Sequence, residues 1–263
     1  MFTSHFSSPL TFLTVTAILL LQTNYSVCTN PNSFNASLGG GFSSAIATWY
    51  GSPEGPGTTG GACGFGVDVQ NPPYNSLVSA GSNDIYLNGK GCGACYQVKC
   101  TENSACSGFP VTVTITDHCP SCPGAFHFDL SGKAFGYLAK RGQADQLRNA
   151  GGINIQYQRV ACNYKTGILF KIDAGSTANY MAFAIELVSG DGDIGALQLL
   201  PSNTGAINMQ QSWGATWKAD LPNGTKGPFT VKVTTIESRR TITATNVIPA
   251  NWSPGQYYHS GAN

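Results

Sequence analysis

Residues 110–131 read PVTVTITDHCPSCPGAFHFDLS, two short runs joined by a loop that Cys119 and Cys122 bracket. From Val111 the residues alternate, with Val111, Val113 and Ile115 on one face of a strand and Thr112, Thr114 and Thr116 on the other. Asp117 ends that run on the apolar parity. In the second run His127 and Asp129 share a face, and Phe128 and Leu130 point the opposite way. The stretch therefore reads as two β-strands, each delivering an aspartate near its end. Two carboxylates at neighbouring strand ends make a candidate acid/base or sugar-binding pair. The plain alternative is a pair of solvated or backbone-capping aspartates.

The rest of the chain sets this stretch in a β-rich, neutral, extracellular context. Thirty-two glycines and 14 prolines in 263 residues imply many turns and mostly β structure. Only 10% of residues are charged and the net charge is +1, which leaves no electrostatic footprint for nucleic acid or an anionic membrane. A neutral polymer is the better expectation for a partner. Residues 11–21, TFLTVTAILLL, form an apolar run of signal-peptide length, too short to span a bilayer. Residues 1–28 are read as a secretory signal cleaved between Thr23 and Cys28, although its start offers only His5 in place of Lys or Arg. No later run approaches a membrane span, so a soluble, secreted protein is expected.

Nine cysteines in that compartment point to disulfides. Eight of them, Cys63, Cys92, Cys95, Cys100, Cys106, Cys119, Cys122 and Cys162, fall in the first two thirds of the chain, and Cys28 is the odd one. The pair of Cys-x-x-Cys spacings at Cys92/Cys95 and Cys119/Cys122 resembles a zinc site, but the secretory context favours disulfides, and no metal or cofactor is expected. Sequons at Asn35, Asn223 and Asn251 are glycosylation candidates.

Working outward, residues 29–44 are a polar extension and 45–51 (AIATWYG) a strand. Residues 52–61 (SPEGPGTTGG) are a glycine- and proline-rich loop expected to be mobile. Strands are expected at 91–100 and 153–162 and the clearest helix over 132–149, where Ala134, Phe135, Leu138 and Ala139 have helical spacing. Short strands, one helix and a disulfide framework suggest a compact β-barrel over 45–165. After Cys162 the cysteines stop and strand-like runs recur at 167–172, 180–188, 194–200, 214–218, 228–235 and 241–247. Hairpin turns are expected at 190–193 and at Asn223-Gly224, and a β-sandwich is the leading choice for 166–263. The connection at 163–166 is short enough to pack the two domains together.

The order and spacing of several motifs give the chain a resemblance to a known family. These are Thr48-Trp49-Tyr50-Gly51, Gly60-Gly61-Ala62-Cys63-Gly64, Gly91-Cys92-Gly93-Ala94-Cys95-Tyr96, Thr116-Asp117, His127-Phe128-Asp129-Leu130-Ser131-Gly132, Ser212-Trp213-Gly214-Ala215, Gly227-Pro228-Phe229 and Val247-Ile248-Pro249-Ala250-Asn251-Trp252. Together they make the mature chain similar to the β-expansins, plant wall-loosening proteins related to group-1 grass pollen allergens. The resemblance implies a mainly β protein of two domains, a six-stranded double-psi β-barrel like that of family-45 endoglucanases and then an immunoglobulin-like carbohydrate-binding sandwich. It implies the disulfides Cys63–Cys92, Cys95–Cys162 and Cys100–Cys106, which leaves Cys119 and Cys122 to close a short loop. It also implies a non-hydrolytic monomer of the cell wall, with no membrane span, that binds cellulose and matrix glycans such as arabinoxylan.

By motif, Asp129 matches the proton-donating acid of the related endoglucanases, Asp117 a second acid in the same groove, and Thr48 and Tyr50 their neighbours. The loop before Cys63 carries Thr58 and Thr59 where β-expansins commonly have an aspartate, leaving Glu54 as its only acid. Flat aromatic rings suit the apolar faces of glucans. Tyr180 takes the parity opposite Met181, Phe183, Ile185 and Leu187 and so faces solvent, and the resemblance implies that with Trp213 it forms the polysaccharide platform. Trp49 and Tyr50 extend it, His127 is balanced between packing and function, and Trp217 and Trp252 belong to the core or a domain contact. His118 beside Cys119 does not make a cysteine protease, because a paired cysteine offers no thiolate. Two other readings stay open, a secreted endoglucanase and a pure polysaccharide-binding wall protein.

Overall fold

The computed structural model describes Met1, residues 41–261 and Asn263. The signal segment, Cys28 and Asn35 lie outside these residues. Six strands close into a barrel in the order β1-β5-β2-β4-β3-β6, with β6 returning to β1. They are β1 (Ser43–Tyr50), β2 (Val78–Gly81), β3 (Cys95–Lys99), β4 (Val111–His118), β5 (His127–Ser131) and β6 (Ile153–Val160). The pairs β1/β5 and β2/β4 are parallel and the other four are antiparallel. Val113 and Ile115, Phe128 and Leu130, and Ile153 and Ile155 fill the interior, as their alternation requires. A side chain such as Phe128, fully buried, contributes about 1.5–3 kcal/mol relative to exposure.

The 132–149 segment departs from the single helix its periodicity predicts. It forms α2 (Gly132–Tyr137) and α3 (Ala144–Arg148), broken at Gly142, whose φ of 78° is left-handed. A further short helix, α1 (Asn83–Tyr86), follows β2. The break lets α3 fold back so that the buried Arg148 guanidinium bonds the carbonyls of Gly132 and Pro53 and the carboxylates of Glu54 and Asp145. This corrects the expectation of a mobile 52–61 loop, since Arg148 anchors its Pro53-Glu54 end and Gly57 packs against the Tyr50 ring.

Eight further strands follow: β7 (Leu169–Ile172), β8 (Tyr180–Glu186), β9 (Ala196–Leu200), β10 (Ile207–Trp213), β11 (Thr216–Asp220), β12 (Phe229–Thr234), β13 (Thr241–Ile248) and β14 (Tyr257–His259). Their order is β13-β12-β9-β10-β11-β8-β7-β14. The sheet folds over a core of Phe170, Phe183, Trp217, Leu199, Val231 and Ile242, which makes a sandwich. The expected hairpin turns at 190–193 and Asn223-Gly224 are corrected to crossovers. β8 and β9 are not neighbours, since β10 and β11 lie between them, nor are β11 and β12, which β9 and β10 separate.

Among the described residues four disulfides join Cys63 to Cys92, Cys95 to Cys162, Cys100 to Cys106 and Cys119 to Cys122. The first two lie at the seam between barrel and sandwich, where Phe65, Val69 and Tyr74 pack on Leu169, Leu187 and Ala215. Lys171 crosses this seam to the Phe65 carbonyl and Asp68, and its ammonium lies 3.1 Å from Glu186. Burial pushes the Glu186 carboxyl up to about 7 against the pull of Lys171. An acid raised in the folded state favours folding in acid, and that advantage is lost as pH rises from about 4.5 to about 7. The denaturation midpoint is expected to fall over this window, and Glu186→Gln to flatten the fall; equal slopes in both proteins would contradict the assignment.

Candidate functional site

The two aspartates of the opening stretch lie in one cross-strand row. Thr48 pairs with Asp129, Asp129 with Ala80, and Ala80 with Asp117, so the acids flank a small residue on β2. Two strand spacings put their backbones about 10 Å apart. Asp117 joins this face through a register shift. Between Ser79 and Ala80 the β2/β4 pairing skips one residue of β4, which turns Asp117 from the parity of Ile115 onto the face of Asp129.

Each acid is held differently. Asp117 accepts from the Ala62 and His118 amides at 2.7 and 2.8 Å and from the Tyr50 hydroxyl at 3.2 Å. Burial and Asp117 raise the Tyr50 phenol far above its ordinary value, so it stays a donor. Asp129 accepts from Thr48 Oγ1 at 2.5 Å. That donation uses the only hydroxyl proton, so the 2.9 Å contact between Thr48 Oγ1 and His127 Nε2 is donated by the imidazole. The other ring nitrogen, Nδ1, is buried, and the ring also bonds the Pro123 backbone. Burial lowers the His127 pKa, opposed by a hydrogen bond to the Pro123 backbone and the charge of Asp129. Burial also raises Asp129 above the ordinary carboxylate range, opposed by the Thr48 bond and His127.

Four further groups complete the surroundings of the acids or stand away from them. Tyr86 stacks on His118 at 4.2 Å beside Asp117 and donates to the Ala62 carbonyl, a contact with no sequence signal. The disulfide sulfurs of Cys119 and Cys122 lie within 4.8 Å of an Asp129 oxygen, and these sulfurs are spent on each other. Trp49, on the opposite parity from Thr48 and Tyr50, packs on the barrel core and donates to the Arg148 carbonyl. It stands apart from the acids. Glu54, the remaining loop acid, bonds Arg148 at 2.7 Å.

On the sandwich, a second register shift, between Gln211 and Trp213, pairs Trp213 with Thr216 and turns the indole outward. It is 52% exposed. Tyr180 pairs with Asp220 on the same outer face and is half-buried, and sheet geometry sets it about 16 Å from Trp213. Trp213 lies over Gly64, whose neighbour Cys63 donates to the Thr116 carbonyl, and the Ala62 amide holds Asp117. The segment 61–64 therefore links the acids to the indole. Trp217 is in the sandwich core and Trp252 packs partly against it.

A closed barrel with paired acids, followed by a sandwich with an outward tryptophan, defines a two-domain class. Residues 78–157 match the family model described as lytic transglycolase, and 168–249 the expansin C-terminal domain. The chain is similar to putative expansin-B2 of Arabidopsis thaliana, 48% identical over 94% of this chain and 93% of that protein. It is 46% identical to expansin-B4 of the same plant, over 96% and 97%, and 47% identical to expansin-B11 of Oryza sativa subsp. japonica, over 85% and 78%. The chain belongs to the β-expansins, and its barrel is of the double-psi type. The fold also matches the crystal structure of an apo expansin of Clavibacter michiganensis (TM-score 0.64, 22% identity, 84% of this chain and 96% of that one). A point mutant solved in complex with cellohexaose matches at TM-score 0.63.

Proposed function

We propose that this β-expansin loosens plant cell walls without cutting glycan. It holds a neutral strand, cellulose or an arabinoxylan-like matrix glycan, along the row from Thr48 to Asp117 and across Trp213 and Tyr180, and so displaces noncovalent contacts between glycans. The single observation that carries this reading is the condition of the acids. Inverting hydrolysis needs an acid and a free opposed base roughly 6.5–9.5 Å away, with a water between. Asp129 suits the acid. Asp117, however, already accepts three donors, and Glu54 is held by Arg148, so neither is free to activate water. The cellohexaose complex of the bacterial relative supports a glucan ligand. Secretion through residues 1–28, work in the wall, and glycans at Asn223 and Asn251, both exposed, belong to the same reading.

The test is creep of heat-inactivated grass walls under constant load at acidic pH, with reducing-sugar release followed in the same sample. Creep without sugar is the expected result. Sugar release would instead favour an endoglucanase, the reading that the match to the lytic transglycolase model keeps in view. Wall binding with neither signal would leave a pure binding protein. In the same assay Asp129 should set the acid preference. Its raised carboxyl is protonated in acid and ionises as pH rises through the raised pKa, so creep should decline over that range. Asp129→Asn, always neutral, should flatten the decline, and an unchanged pH profile would sink this role.

A further inference from the structure

Three of the four disulfides are buried, with Cys63, Cys92, Cys95, Cys162, Cys100 and Cys106 all at 6% exposure or less. Cys119 and Cys122 differ, because both are only half-buried and the residues between and after them, Pro120, Ser121 and 123–126, are exposed. Their bond closes a separation of only three residues, against 29 and 67 for the pairs at the seam. In the chain-entropy account a cross-link stabilises less the shorter the loop it closes, so this bond adds least to holding the fold. Yet it is the one that lies against the groove, with both sulfurs within 4.8 Å of an Asp129 carboxylate oxygen.

We propose that Cys119–Cys122 is a thiol–disulfide exchange site whose substrate is a dithiol, and that its redox state sets the shape of the groove wall beside Asp129. The inference rests on the glycan-binding reading of that groove. Exposed disulfides exchange more readily than buried ones, because the attacking thiolate must reach a sulfur. A thiolate of the dithiol attacks one sulfur and the Sγ–Sγ bond breaks, giving a mixed disulfide. The second sulfur of the dithiol then displaces the protein cysteine. Two electrons pass to the protein, the dithiol leaves as its cyclic disulfide, and its two protons end on Cys119 and Cys122.

Opening the bond removes the covalent closure of a loop with few other ties. Cys119 N donates to the Gly81 carbonyl, Ser82 Oγ donates to the Ala125 carbonyl at 2.7 Å, and Phe126 stacks on Tyr157. Within the loop the Cys122 amide donates to the Cys119 carbonyl at 3.3 Å and His127 bonds the Pro123 backbone, so a freed loop has these weak ties alone to keep it ordered when a glycan binds. Ordering a freed loop costs conformational entropy when glycan binds, so reduction should weaken binding about three- to tenfold, about 0.7–1.4 kcal/mol.

The experiment exposes the oxidised protein to graded dithiothreitol and alkylates it with iodoacetamide. Mass spectrometry locates the labels, and cellohexaose affinity is measured on each sample and on Cys119→Ser/Cys122→Ser. The expected result is labelling of Cys119 and Cys122 before the other six bonded cysteines, with the same weakened affinity in the reduced protein and the double variant. Simultaneous opening of all four disulfides would overturn the exchange site, and equal affinity in both redox states and in the variant would overturn its control of the groove. Oxidised protein that fails to bind cellohexaose would remove the groove reading and this control with it, while the order of labelling would still judge the exchange site.

Discussion

Trp213→Ala is expected to weaken binding to cellulose and to arabinoxylan by roughly thirtyfold, the equivalent of about 2 kcal/mol for an indole face covered by sugar. The indole is 52% exposed, so little folding energy depends on its outer face, and the register shift at Gln211 holds it ready without a ligand. Its inner edge rests on Gly64. The melting temperature of the variant should therefore move by only a few degrees, whereas depletion from solution by insoluble glycan and wall creep should both drop steeply. Binding within twofold of the parent protein would remove Trp213 from the site.

Gly192→Ala should have the largest effect on stability. Gly192 has a φ of 78°, and a Cβ there would lie 2.2 Å from the Gly93 carbonyl oxygen and 2.6 Å from Cys162 Sγ. Gly93 faces it with a φ of 85° and its own Cβ position 2.5 Å from the Gly192 oxygen. At this point two backbones, one from each half of the molecule, touch with no room for a methyl group. Left-handed strain and overpacking together cost roughly 2–5 kcal/mol. At about 2–4 °C per kcal/mol for a chain of this size, the melting temperature should fall by roughly 4–20 °C. Protease cutting at 163–166 should rise in parallel. A variant that melts within a degree of the parent would show that the seam yields easily.

Much of the architecture was legible because alternation is a local property. Val111 to Ile115 and Met181 to Ile185 announce their strands through side chains two residues apart. What periodicity could not show is where a strand slips against its neighbour. Asp117 stands on the apolar parity in the sequence, and only the slip at Ser79/Ala80 brings it beside Asp129. Trp213 ends a strand, INMQQSW, whose polar residues mask any alternation, and a second slip aims it outward. β2, VSAG, was missed because all four residues are buried and the pattern has no contrast. The long helix was misjudged for a different reason. The spacing of its apolar residues is sound, but Gly142 and the demand of Arg148 for carbonyls on two sides outweigh helix continuity.

Cys162 bonds Cys95 on β3, exchanges backbone hydrogen bonds with Gly190 and packs against Gly192. The chain thus leaves the barrel and is at once strapped to the sandwich, so the four residues that follow have no slack to act as a hinge. If the proposed site is right, a wall polymer held near Asp117 and near Trp213 would be held by a single lever. On the proposed reading, thermal motion or tension at one contact would pass to the other through this strap rather than be taken up at 163–166.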